Sequence, residues 1–204
     1  LLRTDFLAPF EAVVKDAGVM SLMPSYNEID GLPSHANRWL LGRLLREEWG
    51  FDGFIVGDYS GVQQLYDTRF VARDTSEAAK RAIEAGVDID LPTGACFETL
   101  VEQVRDGRVS EAVIDRAVTR VLRAKFLLGL FENPYVDPDA AMKITNSPGH
   151  RALALEAARK SITLLKNDGN LLPLDPAKLK RLAVIGPNAA GVHTGGYSWE
   201  PREG

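Results

Sequence analysis

Three apolar segments at equal spacing constrain the fold of this chain most strongly. They begin near Val19, Gly53 and Val87, at intervals of 34 residues, and each is followed by a helical pattern of apolar residues. This length suits a β-α-β unit, whose two strands lie parallel. Equal units favour an α/β fold that forms the closing part of a (β/α)8 barrel, which needs about 250 residues when complete. A doubly wound parallel sheet is the alternative architecture.

The second apolar segment ends on a carboxylate. Phe54, Ile55 and Val56 form a continuous apolar run bounded by glycines, which predicts a strand buried on both faces. Asp58 follows this strand. Because ligands bind at the carboxyl ends of strands in α/β folds, Asp58 is a candidate functional residue. From position alone, capping of the following helix is an equally good interpretation.

Apolar spacing and capping residues predict the helices around these strands. Residues 24–37 are predicted to form a long polar loop, which ends where Asn37 caps a helix. The remaining predicted helices cover residues 5–17, 76–85 and 95–107, with a longer one capped by Ser110.

A change of composition marks a boundary between two domains. Residues 132–148 contain three prolines and show little periodicity, which predicts an interdomain linker. After it, a helix is predicted at 150–160 and strands at 162–167 and 181–187, the start of a second α/β unit. The chain begins without Met inside a predicted helix, and its second unit does not close. We therefore expect it to belong to a longer polypeptide.

Charge and hydropathy argue against two classes of partner. The chain carries 28 acidic and 24 basic residues, a formal net charge of −4, and has no basic cluster that would hold a nucleic acid. No apolar run approaches the roughly 20 residues of a membrane span. We expect neither a nucleic-acid nor a membrane partner.

The sequence predicts no metal and no cofactor. Cys96 is the single cysteine, which excludes a disulfide framework and is interpreted as a structural thiol. His35, His150 and His193 lack the spacing of metal ligands, and His35 is expected at most to donate or accept a hydrogen bond at a pocket rim. The glycine-rich segment 186–198 has neither a P-loop lysine nor GxGxxG spacing.

Two further carboxylates receive a structural interpretation. Asp88 and Asp90 alternate along the third apolar segment, which places both side chains on one face of a strand. Buried polar groups are usually hydrogen-bonded for structural reasons, so we predict pairing and not catalysis for both residues.

Five segments together resemble glycoside hydrolase family 3 enzymes. In chain order they are MPSYNEIDGLPSHAN, WGFDGFIVGDY, GVDIDLP, LLKNDGNLLPL and AVIGPNA. The resemblance implies the C-terminal part of a (β/α)8 barrel over residues 1–131, a linker at 132–148 and the start of an α/β sandwich domain at 149–204. It also implies an exo-acting, retaining β-glycosidase that acts on terminal β-D-glucosyl residues, with a β-xylosidase of the same family as the alternative.

The resemblance assigns roles to individual residues. It implies that Asp58 is the nucleophile and that Met23 and Tyr26 line the sugar subsite. Tyr59 stands where many members have Trp, as the aromatic wall of that subsite, and Ser198 is a candidate for a distal sugar contact. Gly57 stands where many members have Ser.

The same resemblance places other parts of the site outside the chain. The general acid/base would lie farther along the second domain, and the residues that hold the sugar hydroxyls would lie upstream. The expected partners are therefore a β-linked oligosaccharide or glycoside and the rest of the same polypeptide. A non-catalytic fragment that only binds carbohydrate is the alternative of a different class.

Overall fold

A computed structural model describes residues 1–191 and 196–197 of the chain. The chain divides into two compact units, Leu1–Val136 and Asp137–Gly204. Every helix in the described ranges falls short of the length and apolarity that a membrane span requires.

The named strands of the described residues have two residues each, whereas the α-helices have from four to 17 residues. The strands are β1 (Ser21–Leu22), β2 (Glu28–Ile29), β3 (Leu32–Pro33) and β4 (Phe54–Ile55). The α-helices are α1 (Ala8–Lys15), α2 (Gln64–Asp67), α3 (Thr75–Ala85), α4 (Leu100–Arg105), α5 (Glu111–Leu127), α6 (Pro138–Ile144) and α7 (Pro148–Ser161). Wider π-helical turns form at Leu2–Phe6 and Trp39–Glu48, and 3-10 turns at Ser34–Ala36, Phe97–Thr99 and Asp168–Asn170.

The three predicted strand segments lie side by side in chain order. Strands β1 and β4 pair in parallel, with Leu22 opposite Ile55. Val56 then forms a parallel bridge to Ile89 in the third segment. This bridge is isolated and does not extend into a ladder. The first unit is therefore an α/β structure with parallel strands, as the spacing predicts.

Burial of β4 differs from the prediction. Ile55 is fully buried, whereas Phe54 and Val56 are only half-buried. Because successive side chains of a strand point to opposite faces, only the face of Ile55 is fully covered within the described residues.

The core of the first unit lies between this strand and two helices. Leu41, Leu44 and Leu45 of the Trp39–Glu48 helix are buried. Helix α3 contributes small buried side chains, among them Ala78 and Ala82, which allow its backbone to approach closely.

Helix capping follows the sequence at two positions and departs from it at a third. Asn37 Oδ1 accepts a hydrogen bond from the Leu40 amide at 3.0 Å, as predicted. Gly86, with φ of 120°, ends α3 in the left-handed conformation. Ser110 precedes α5, but its side chain makes no capping hydrogen bond.

The N-terminal segment and the polar loop differ from the predictions. The predicted helix at 5–17 is divided, because Pro9 in the first turn of α1 favours a new helix start at Ala8. The predicted loop at 24–37 contains the antiparallel hairpin β2–β3. Its two turn residues, Asp30 and Gly31, have φ of 51° and 76°, which is the conformation of a type I′ turn.

The second unit lacks the strands that the sequence predicts. Helix α6 forms inside the predicted linker, capped by the Asp137 side chain, and α7 covers the predicted helix at 150–160. The segments at 162–167 and 181–187 are not strands, and their apolar residues are exposed. A strand is stabilised by hydrogen bonds to a neighbouring strand, and neither segment forms a ladder with another described segment.

Candidate active site

Asp58 lies just beyond the point where β4 and the third segment meet. It is half-buried and follows the Val56–Ile89 bridge by two residues. Helix α2 begins only at Gln64 and has no side-chain cap. The helix-cap interpretation of Asp58 is therefore wrong, and its carboxylate stands at the carboxyl end of the parallel strands.

The backbone around Asp58 is fixed by hydrogen bonds. Every amide from residue 57 to residue 61 has an acceptor. The acceptors are Ile89 O for Gly57 (2.7 Å), His35 Nε2 for Asp58 (3.2 Å), Asp58 Oδ1 for Tyr59 (2.7 Å), Leu91 O for Ser60 (2.7 Å) and Asp58 O for Gly61 (2.8 Å). The carboxylate is thus held by its own following amide and by a backbone with little freedom.

Three predicted sugar-subsite residues occupy the same end of the strands. The Tyr26 hydroxyl donates to Tyr59 O at 2.7 Å, which joins the two loops. Met23 follows β1 directly, level with Val56 in the strand register. Met23 and Tyr59 are 55% and 56% exposed, so both leave apolar surface accessible to solvent. Ser198 lies outside the described residues.

Arg69 holds the loop that carries Tyr26. Its Nη2 donates to Tyr26 O at 3.0 Å, and its Nη1 lies 3.5 Å from Glu28 Oε1. No motif in the sequence points to Arg69, because its partners lie some 40 residues earlier in the chain.

His35 is buried behind Asp58 and does not lie at a pocket rim. The residue is 2% exposed. Burial lowers the pKa of His35 to about 4, while the Asp58 charge and a hydrogen bond with the Ser25 backbone act in the opposite direction. The imidazole is therefore neutral at pH 7, and Nε2 accepts the Asp58 amide.

Asp88 and Asp90 serve structural roles, as predicted. Asp88 accepts from the Ile55 amide at 2.7 Å, from Arg46 at 3.0 Å and from Arg120 at 2.8 Å. Burial raises the pKa of Asp88, although these three donors oppose the shift.

Asp90 caps the turn that follows the third apolar segment. Asp90 accepts from the Cys96 and Phe97 amides at 3.1 and 3.4 Å. Burial, followed by the charge of Asp90, raises the pKa of the Cys96 thiol to about 11. Cys96 is buried, in keeping with its structural interpretation.

The chemistry of this arrangement is that of one fixed carboxylate beside aromatic and thioether surface. Across residues 1–191 and 196–197, no three His, Cys, Asp or Glu side chains cluster as metal ligands would.

Comparison with known proteins places the chain among glycoside hydrolases. The model of the glycosyl hydrolase family 3 N terminal domain matches residues 1–124, and that of the family 3 C-terminal domain matches residues 162–203. A β-xylosidase from Formosa agariphila is 46% identical over 98% of the chain, and a β-glucosidase from Rhizobium radiobacter is 36% identical over all of it.

A solved structure extends the similarity to three dimensions. A β-glucosidase from Erythrobacter marinus superimposes with a TM-score of 0.91 and 44% identity over 95% of the chain. The chain spans only 30% of the Formosa protein, 24% of the Rhizobium protein and 26% of the Erythrobacter protein.

Proposed function

The chain belongs to glycosyl hydrolase family 3, and we propose that the protein containing it is an exo-acting, retaining β-glycosidase that removes terminal β-D-glucosyl residues. The observation that carries the proposal is the position of Asp58. It is a fixed carboxylate at the carboxyl end of parallel strands, beside the exposed side chains of Met23 and Tyr59.

Asp58 acts as the nucleophile in this proposal. A retaining enzyme uses two carboxyl groups about 5–5.5 Å apart, one to attack the anomeric carbon and one to protonate the leaving oxygen. The Tyr59 amide fixes the carboxylate through Oδ1, and we assign the attack to Oδ2. The bond from the anomeric carbon to the leaving oxygen breaks, and water then hydrolyses the glycosyl-Asp ester. We assign the acid/base to a part of the polypeptide outside this chain.

The sugar would bind against the exposed side chains at this end of the strands. Met23 and Tyr59 offer apolar surface to a sugar face. Tyr26, whose hydroxyl donates to Tyr59 O in the structure, would donate a hydrogen bond near the ring oxygen or the nucleophile. Ser198 stays a candidate for a distal sugar contact.

A β-xylosidase is the alternative activity. The similar proteins include enzymes of both names at comparable identity, 46% for the Formosa β-xylosidase and 44% for the Erythrobacter β-glucosidase. The ratio of kcat/KM for p-nitrophenyl β-glucoside and β-xyloside separates the two activities. The other alternative is an incomplete, non-catalytic chain that only binds carbohydrate, in which case these 204 residues bind a β-glycoside without hydrolysing it.

We propose the domain arrangement on the same basis. Residues 1–131 would form the C-terminal part of a (β/α)8 barrel, 132–148 a linker and 149–204 the start of an α/β sandwich domain. The parallel order of the three strand segments supports the barrel. Limited proteolysis of the full-length protein should cut first within 132–148, and first cuts inside 1–131 would contradict the boundary.

Substitution of Asp58 tests the proposed function. In the full-length protein, Asp58→Ala should lower kcat on p-nitrophenyl β-glucoside by more than about 1,000-fold, the scale of losing a nucleophile. Asp52→Ala, a change of the same kind in an exposed ion pair with Arg123, is the control and should keep normal turnover. Near-normal turnover by Asp58→Ala would overturn the assignment.

A further inference from the structure

His35 lies in a slot directly behind the backbone of the candidate nucleophile. His35 lies just before the helix at Trp39–Glu48. Its Nε2 accepts a hydrogen bond from the amide of Asp58, 23 residues later in the chain, at 3.2 Å. The residue is almost completely buried. A buried polar side chain whose acceptor atom bonds a backbone amide holds that amide in place.

The walls of the slot fix the plane of the imidazole. The Tyr26 ring stacks on it with centroids 6.1 Å apart and an interplanar angle of 26°. On another side, a Cβ added to Gly61 would lie 2.2 Å from Nε2, and one added to Gly57 would lie 3.7 Å from Cδ2. Only a residue without a side chain fits at position 61 while the ring keeps its place.

We infer that His35 is a positioning residue for the glycosidase reaction, which as a neutral acceptor fixes the direction of the Asp58 carboxylate and supports the ring of Tyr26. The inference rests on the proposed function, because the direction of Asp58 matters to the rate only if Asp58 attacks a sugar. A misplacement of about 1 Å in a reacting group can cost about 100-fold in rate.

The protonation state of the imidazole agrees with this role. An imidazolium would place a donor at Nε2 against the donor of the Asp58 amide, and the two would repel. Burial holds the pKa of His35 well below its ordinary value of 6.5, so the acceptor form persists at neutral pH.

A pair of substitutions separates positioning from packing. His35→Leu fills the slot but removes the acceptor, whereas His35→Gln restores an acceptor on a chain of similar reach. Gln103→Leu is the matched control, because Gln103 is equally buried and bonds the Ser76 carbonyl and the Thr99 hydroxyl, away from Asp58.

The measurement is the inactivation of the full-length enzyme by a 2-deoxy-2-fluoro-β-glucosyl fluoride, which isolates attack by the nucleophile. His35→Leu should lower the inactivation rate constant about 10- to 100-fold, with less than about a threefold change in the inhibitor's dissociation constant. His35→Gln should recover most of the rate. Gln103→Leu should lower thermal stability to a similar extent as His35→Leu but inactivate like the wild type.

The outcomes distinguish the inference from the proposed function. If the wild type is labelled on Asp58 and His35→Leu is labelled equally fast, the inference is overturned and the proposed function stands. If the wild type is not labelled on Asp58, the proposed function fails, and with it the positioning role. Amide exchange in the peptide 54–62 then shows only whether His35 holds the backbone: faster exchange in His35→Leu alone supports that bond, and equal exchange refutes it.

Discussion

The buried ion cluster beneath β4 gives the sharpest test of what holds the strands in register. Asp88 has a side chain only 1% exposed, and it lies between Arg46 and Arg120, whose side chains are 14% and 23% exposed. The same carboxylate binds the Ile55 amide, so it joins the third segment to β4. Two guanidinium donors and one amide converge on it, the arrangement of an ionised carboxylate.

Asp88→Asn keeps the size of the side chain and removes its charge. It would leave two partly buried guanidinium groups near each other without the carboxylate that lies between them. Burial, followed by the charge of Arg120, already lowers the pKa of Arg46 to about 10. Breaking a buried pair from one side costs about 3–5 kcal/mol. Because both arginines retain some solvent contact, we expect the lower end, about 3 kcal/mol.

The chain supplies its own control for this substitution. Asp52 pairs with Arg123 on the same helix as Arg120, but the Asp52 side chain is 74% exposed, so Asp52→Asn should cost less than about 1 kcal/mol. Both variants are unfolded in urea as full-length proteins. Proteolysis and mass spectrometry of peptides from 1–136 then give the unfolding midpoint of the first unit in each variant. Equal midpoints for the two variants would refute the role of the buried charge.

Two further predictions concern the slot behind Asp58. As the pH falls, the unfolded chain, with an ordinary histidine pKa of 6.5, binds a proton before buried His35, whose pKa is about 4. The contribution of neutral His35 to the free energy of unfolding should therefore be fully present above pH 6.5. The free energy of unfolding should fall by up to about 3 kcal/mol as the pH drops to 4. The difference in urea midpoint between the wild type and His35→Gln across this range measures it, and a constant difference would contradict the shift. Gly61→Ala should lower turnover at least about tenfold by displacing the His35 ring, whereas Gly42→Ala, which meets nothing within 4 Å, should not; equal turnover in both variants would show that the slot tolerates a methyl group.

The sequence predicts the placement of Asp58 because a strand end is a local pattern and the strands recur at a regular interval. An apolar run bounded by glycines is sufficient to locate β4, and its parallel neighbours follow from the repeat length. The helix cap at Asn37 and the stop at Gly86 are equally local. Apart from the 34-residue repeat, these features depend on residues within a few positions of one another.

What the sequence does not predict depends on distant partners or on overlooked turn chemistry. The contact of His35 with Asp58 joins residues 23 positions apart, and periodicity carries no signal for it. The hairpin turn at Asp30–Gly31 does have a signal, the Asp-Gly pair, which the polarity of the surrounding loop obscures. In the second unit, the apolar run at 181–187 predicts a strand, but it forms no ladder with another described segment.

Mass spectrometry of the full-length protein after reaction with a 2-deoxy-2-fluoro-β-glucosyl inhibitor identifies the residue that attacks the sugar. We expect one covalent fluoroglucosyl group per protein, carried by the peptide that contains Asp58 and absent from Asp58→Ala. A label on any other residue would refute Asp58 as the nucleophile, as would turnover of p-nitrophenyl β-glucoside by an enzyme that takes up no label.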